Sequence, residues 1–288
     1  MKKVLFATTA LIATAGVASA DITLTGGANM GIKDNGIITS THVETDFNIV
    51  ASGTSDNGLS FGASMDIDGD TTQASTGITT TENASDTEVF VSGAFGTLTM
   101  GDVGIVTDFG IGDVGFDGVG ADDDALKGQT TGLTADVAYS YSVNGLTISA
   151  MYDTVNDDSG VSISYSAAGF TGTVAQATDS NTDDTSTTVM GSYSANGLTL
   201  AAMLSDYEDA NATATDTRGT GIAVSYVVAP GLTVKAVAAQ NDNGTSADTD
   251  SSGIGFTYDL GGGLTLAGGA GNNNSNRSTM DLGLSMSF

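Results

Sequence analysis

The feature that most constrains this chain is a two-residue alternation broken at regular intervals by tight turns. Val137, Tyr139, Tyr141 and Val143 alternate with Asp136, Ala138, Ser140 and Ser142, and Asn144-Gly145 follows. Leu146, Ile148 and Ala150 then alternate with Thr147, Ser149 and Met151. Successive side chains of a strand point to opposite faces, so this pattern makes two strands with one apolar and one polar side each. Asn and Gly tolerate the positive φ that a type I′ turn needs, so the pair reads as a hairpin.

The same phrase returns. SYSVNGLTISAM from Ser140 becomes SYSANGLTLAAM from Ser192. Other turns at 53–58, 94–96, 167–169, 229–231 and 261–263 precede further alternating runs. The lone proline, Pro230, sits in one of them, where its missing N–H interrupts no ladder. Longer connections rich in Asp, Asn, Thr, Ser and Gly separate the hairpins, over about residues 34–38, 69–86, 102–135, 154–159, 178–185, 207–220, 241–252 and 271–277. Seven hairpins, a first strand from Ile22 to Lys33 and a last from Ser278 to Phe288 give about 16 strands, most of them 8–12 residues long. An antiparallel meander with short turns at one end and long loops at the other predicts an all-β transmembrane barrel.

Tyr141, Tyr165, Tyr193, Tyr226 and Tyr258 each fall three residues before a tight turn, on the apolar side of their strand. In a barrel this sets them at one height on the outside, as a girdle at the lipid interface. Cross-strand aromatic packing in a soluble sheet is the competing reading. The opposite side of the strands is small and polar, with Asp66, Glu88, Asp136, Asp153, Asp281 and Lys235. Water inside and lipid outside fits that pairing of faces.

Residues 1–20 are expected to be a secretory signal peptide: Lys2-Lys3, an apolar run from Val4 to Val17, and a cleavable Ala18-Ser19-Ala20. The barrel then occupies 21–288. Without the leader the chain carries 34 acidic residues against five basic ones, a formal charge of −29. That excludes ordinary nucleic-acid binding and draws cations to any confined surface the charge lines. There is no cysteine, hence no disulfide framework. No later apolar run is long enough for a spanning helix.

Catalysis finds little to work with. The single histidine, His42, neighbours Glu44 and Asp46, but a wall residue of a pore is the simpler role. Zinc ligands are missing. Asp122, Asp123 and Asp124 could hold a calcium ion, although no calcium-loop spacing is present and a solvated acidic run is the plainer reading. No enzyme activity and no cofactor is expected.

The chain resembles the Gram-negative general diffusion porins of the alpha-proteobacterial type. The resemblance rests on DITLTGGANMGI from Asp21, FNIVASGTSDNGLSFGASM from Phe47, VFVSGAFGTLTMGD from Val89, YDLGGGLTLAGG from Tyr258 and DLGLSMSF with its terminal Phe288. It implies an outer-membrane homotrimer of sixteen-stranded barrels, each with its third loop folded inward as a constriction, in contact with lipid and lipopolysaccharide. The matching loop is 102–135, glycine-rich, with Asp102, Asp108, Asp113, Asp117, Asp122, Asp123 and Asp124 against a single base, Lys127. In that family the wall facing the acidic loop carries clustered arginines. Here Val43, Thr45, Phe47 and Ile49 take the lipid side, which leaves His42, Glu44 and Asp46 inward, with Asp66 and Asp68 on the next strand. Only Lys33 and Lys235 are expected on the inner wall. The resemblance implies passive diffusion of small hydrophilic solutes and ions, and the acidic lumen predicts a preference for cations. The alternatives are a non-conducting barrel acting as an adhesin or divalent-cation-binding surface protein, and, more distantly, a secreted soluble β-protein.

Overall fold

The computed structural model describes residues 21–74, 77–83, 86–116, 118–120, 133–210, 216–242, 244 and 247–288. The expected leader lies outside these residues. Strands follow one another along the chain: β1 (Asp21–Asp34), β2 (Thr39–Thr54), β3 (Ser60–Ala74), β4 (Gly77–Asn83), β5 (Glu88–Gly93) and β6 (Gly96–Gly101). After the long third loop come β7 (Val137–Val143), β8 (Leu146–Tyr152), β9 (Ser159–Ala167), β10 (Phe170–Asp179), β11 (Asp184–Ala195) and β12 (Leu198–Glu208). The chain finishes with β13 (Thr217–Ala229), β14 (Leu232–Asp242), β15 (Thr249–Gly261), β16 (Leu264–Asn272) and β17 (Ser278–Ser287).

Successive strands pair antiparallel, except that β4 and β5 both pair with β3 and not with each other, and β1 pairs with β17. The sheet therefore closes on itself as a ring, which is what a sheet in lipid requires, and only the β4 extension pairs on one side alone. β4 and β5 both pair with β3, β4 along Asp68–Ala74 and β5 along Ser60–Ser64. They are two pieces of one barrel strand, so the closed barrel has sixteen. Closure is sealed at the end of the chain. Phe288 N–H donates to Gly26 O and Gly26 N–H to Phe288 O, both at 2.9 Å. The Phe288 ring lies 5.9 Å from that of Phe47.

The short turns adopt the conformation that their residues favour. Asn144 and Gly145 have φ of 50° and 82°, and Asn196 and Gly197 have 51° and 81°. Both central residues are left-handed, as a type I′ turn demands.

Three expectations are corrected. The stretch 69–86 is not a loop throughout: β3 runs on to Ala74 and β4 returns from Gly77 as an extended hairpin. Strand lengths also vary more than 8–12 residues, from 6 in β5 and β6 to 16 in β2. Asp136 and Asp153 lie just beyond strand ends rather than on the wall.

The two faces divide by chemistry. Large apolar side chains point outward into exposure, among them Leu24, Ile32, Val89, Val161, Ile163, Leu204, Ile222, Val224, Ile254 and Leu282. Tyr141, Tyr165, Tyr193, Tyr226 and Tyr258 are exposed on that same side, and Phe170, Tyr193 and Leu200 stand side by side in register. Ser186, Thr188, Ser205, Asn241 and Ser251 are buried inside. The inner face is not uniformly polar, however. Met151, Ala175, Ala177, Met203, Val237, Ala239 and Ala267 are also buried there, and the third loop covers several of them.

Candidate functional site

The third loop leaves the wall at Gly101. Its φ is 131°, and a Cβ there would meet Thr87 O at 2.0 Å, so glycine lets the chain turn off the end of β6. From Val103 to Gly120 the described residues of the loop lie in the lumen against one side of the barrel. Val103, with Leu133 and Ala135 of the returning limb, packs on Met151 and Ala177. Ile111, Val114 and Val119 pack on Met203, Val237 and Ala239. Val114 and Val119 exchange backbone hydrogen bonds of 3.0 and 2.7 Å as an isolated antiparallel bridge.

Wall glycines make room for it. An added Cβ would lie 2.6 Å from Val106 at Gly160, 2.8 Å from Val114 at Gly253 and 2.8 Å from Gly115 N at Gly255. At Gly283 and Gly31 it would lie 2.5 Å from the Phe116 ring. Real side chains do not approach so closely, so the loop is seated in a trough of missing side chains.

Polar contacts fix the same segment. Lys235 Nζ donates to the carbonyls of Ile111, Gly112 and Asp113 at 2.6, 2.8 and 3.1 Å. Phe116 N–H donates to Asp281 Oδ2 at 2.8 Å. The Phe116 ring meets His42 edge-on, with centroids 5.9 Å apart.

The opposite side of the lumen is formed by β2, β3 and β5 and is acidic. Asp46 stands directly across from Asp68 in the ladder, and Asn48 from Asp66. Asn48 donates its amide to Asp66, and Glu44 accepts from Asn29 at 2.8 Å. His42 is buried, with Nε2 3.8 Å from Glu44 Oε2. A cavity of about 330 Å³ is lined by Asn48, Ser64, Asp66, Asp86, Glu88, Asp102, Val103 and Gly104. Four carboxylates thus border one cavity with room for several waters, and none of the described residues lining it is basic.

The remaining expected site residues fall as follows. Asp102 borders that acidic cavity. Asp108 is exposed, and Asp113 is half-buried with its carboxylate beside Gly118 and Gly120. Asp113 shares a second cavity, about 310 Å³, with Lys33 and Asp281. Lys235 lies beneath the loop rather than on the acidic side. Asp117, Asp122, Asp123, Asp124 and Lys127 lie outside the described residues. Among the described residues no three acidic or histidine side chains converge so as to hold a metal ion.

Sequence reasoning left out Phe116, Gly115, the glycine trough, Asp86 and the pairing of Asp281 with the loop. The apolar valines inside the acidic loop were the visible clue, because a solvated loop has no use for them.

One carboxylate outside the strands is strongly perturbed. Asp153 accepts from Thr134 Oγ1, from Val155 N and Asn156 N at 2.7 Å each, and from Asn156 Nδ2 at 3.3 Å. These donors, Thr134 first, hold its carboxyl down to about 2 from an ordinary 3.8. Its bond to Thr134 ties down the returning end of the third loop.

Comparison with known proteins gives the same architecture. Residues 7–278 match the family model described as Gram-negative porin. A porin structure refined at 1.8 Å is 21% identical, with a TM-score of 0.72 over 93% of this chain and 100% of that one. A triple mutant of the Rhodopseudomonas blastica porin is 21% identical, with a TM-score of 0.69 and the same coverage. A structure described under the asymmetric conductivity of engineered proteins is 20% identical, with a TM-score of 0.73 and again the same coverage. At such identities the likeness is one of fold. No curated protein matches the chain.

Proposed function

The chain belongs to the Gram-negative porin family and is an outer-membrane diffusion channel, and we propose that it passes small hydrophilic solutes and ions with a preference for cations. The observation that carries this preference is the acidic wall. Between Lys33 and Lys127 the sequence contains no Lys or Arg. Asp46 faces Asp68 in register, and Asp66, Asp86, Glu88 and Asp102 border one cavity. Like charges directly opposite each other repel, and a mobile cation between them relieves that repulsion. Low-dielectric walls focus the resulting field along the path. Rings of carboxylates select cations by this means.

In this reading the third loop narrows the lumen and leaves the β2–β5 side for traffic. Lipid and lipopolysaccharide surround the exposed apolar face, with Tyr141, Tyr165, Tyr193, Tyr226 and Tyr258 at one interface. Family resemblance alone supports a homotrimer. Calcium at Asp122, Asp123 and Asp124 is an addition that only the sequence supports. Family membership favours conduction over an adhesin barrel. The test is the reversal potential of the purified protein in planar bilayers across a potassium chloride gradient. A cation-directed potential is expected, and an anion-directed one overturns the preference.

A further inference from the structure

Four residues form one row across the sheet. Lys235 on β14 stands opposite Gly255 on β15, Gly255 opposite Gly269 on β16, and Gly269 opposite Asp281 on β17. The row is a basic post, a two-glycine notch and an acidic post. The third loop lies in the notch: a Cβ on Gly255 would be 2.8 Å from Gly115 N, and one on Gly269 would be 2.9 Å from Gly115 Cα. The posts hold opposite ends of one segment. Lys235 takes the carbonyls of residues 111–113, and Asp281 takes the N–H of Phe116.

The dimensions agree. Strands lie about 4.8 Å apart, so posts three strands apart are about 14 Å apart. Five residues of chain reach at most ~17 Å. The segment from Ile111 to Phe116 therefore reaches both posts while bending at Gly112 and Gly115, whose φ are 65° and 90°. Each post also matches the polarity of what it holds, a cation to carbonyl oxygens and an anion to an N–H.

We propose that Lys235 and Asp281 are the pair that sets the aperture of the channel: positioning residues that pin Ile111–Phe116 against the inner wall at two points and so keep the opposite, acidic side of the lumen clear. The proposal rests on the porin reading above. It also gives the wall lysine a role other than as a site for anions. An ammonium has three donors, and three carbonyls occupy them. Loss of the lysine would then widen and loosen the passage without sharpening its preference for cations.

The experiment compares wild type, Lys235→Met and Asp281→Ala as single channels, together with the pair V114C/G253C alone and combined with Lys235→Met. The natural chain has no cysteine, so the introduced pair is the only thiol pair present. Val114 Cγ2 lies 2.8 Å from where a Gly253 Cβ would stand, within disulfide reach if the loop is seated. Each wall variant is expected to raise conductance by roughly half and to add open-channel noise, with a reversal potential that moves toward zero. Oxidising the cysteine pair is expected to return the Lys235→Met channel to wild-type conductance and noise, and reduction to release it again. The proposal is overturned if wild type conducts while both wall variants conduct identically to it. It is also overturned if Lys235→Met makes the channel more cation-selective, the result for an exposed base, or if the pair does not cross-link in an otherwise wild-type barrel. Absence of conduction by wild type would instead overturn the porin reading, and the cross-link would still report the seat of the loop. Should Lys235→Met not fold, Asp281→Ala carries the same comparison.

Discussion

The two sides of this lumen are built from the same strands by opposite choices of inward residue. Along β9 and β12–β17 the inward positions are mostly glycine, alanine, serine, threonine, methionine and valine, with Asn241 and with a lysine and an aspartate set apart by two glycines. Those residues leave space and apolar surface, and the third loop fills both. Along β2, β3 and β5 the inward positions are Glu44, Asp46, Asn48, Asp66, Asp68 and Glu88. The described loop meets that side at its base, Asp102–Gly104, and where Phe116 touches His42 at the end of the ladder. The difference teaches that a loop chooses its side. A segment carrying Ile111, Val114 and Val119 gains by covering apolar wall, and its carboxylates are repelled by the acidic one.

The largest effect tests whether inside and outside are assigned correctly, since the comparison depends on that. Val189 points outward near the middle of β11 and is 41% exposed. Val189→Arg is expected to lower barrel stability in lipid vesicles by ~2–4 kcal/mol, read by urea unfolding. Asp46→Arg, on the acidic inner wall, removes a like charge facing Asp68 and is expected to cost no stability while moving the reversal potential toward anions. Equal stability losses at the two positions would break the comparison.

A smaller effect tests the trough. Gly283→Ala places a methyl 2.5 Å from the Phe116 ring. Overpacking of this kind costs ~1–3 kcal/mol, and here the loop can yield more easily than the wall. Raised conductance is expected, with loosened protection of residues 114–116 in hydrogen exchange. Ser64→Val on the acidic wall also enlarges an inward side chain, but it faces an open cavity. Its stability change is expected to stay within about 0.5 kcal/mol. A loop that responds alike to both would show that the seat is not specific.

The sequence made the hairpins legible because their information is local. Asn144-Gly145 and Asn196-Gly197 need only their flanking residues to declare a turn. Alternation then named the two faces wherever the outer one was apolar. The extension of β3 and β4 escaped this reading because GDTTQASTGITTTEN has no apolar stripe. Its threonines favour strand all the same, and beyond the membrane a strand needs no greasy side. The seat of the loop escaped for a different reason. Lys235 and Asp281 lie more than a hundred residues from the segment they hold, on strands brought together only by closure. The inward fold of the loop was expected from resemblance, whereas the side it takes follows from packing.

The smallest expected effect concerns a single kind of substitution made in the two regions. At Asp153 the ionised carboxylate accepts four hydrogen bonds, one of them from Thr134 on the returning limb of the loop. Its folded value, about 2, lies below the ordinary 3.8. The proton therefore binds the unfolded chain more readily, and the stabilisation is complete above about 3.8 and lost as pH falls toward 2. Hydrogen-exchange protection of residues 133–135 is expected to be level above that window and to decline through it. Asp153→Asn is expected to lower protection at neutral pH and to flatten the acid decline. At Asp46 the same exchange has the opposite sense, because it removes a like charge facing Asp68. Asp46→Asn is expected to raise barrel stability by ~0.2–1 kcal/mol at low ionic strength, and added salt should erase the gain. One aspartate is held by its donors and the other is opposed by its neighbour, so the sign of the substitution tells which side of the lumen a carboxylate serves.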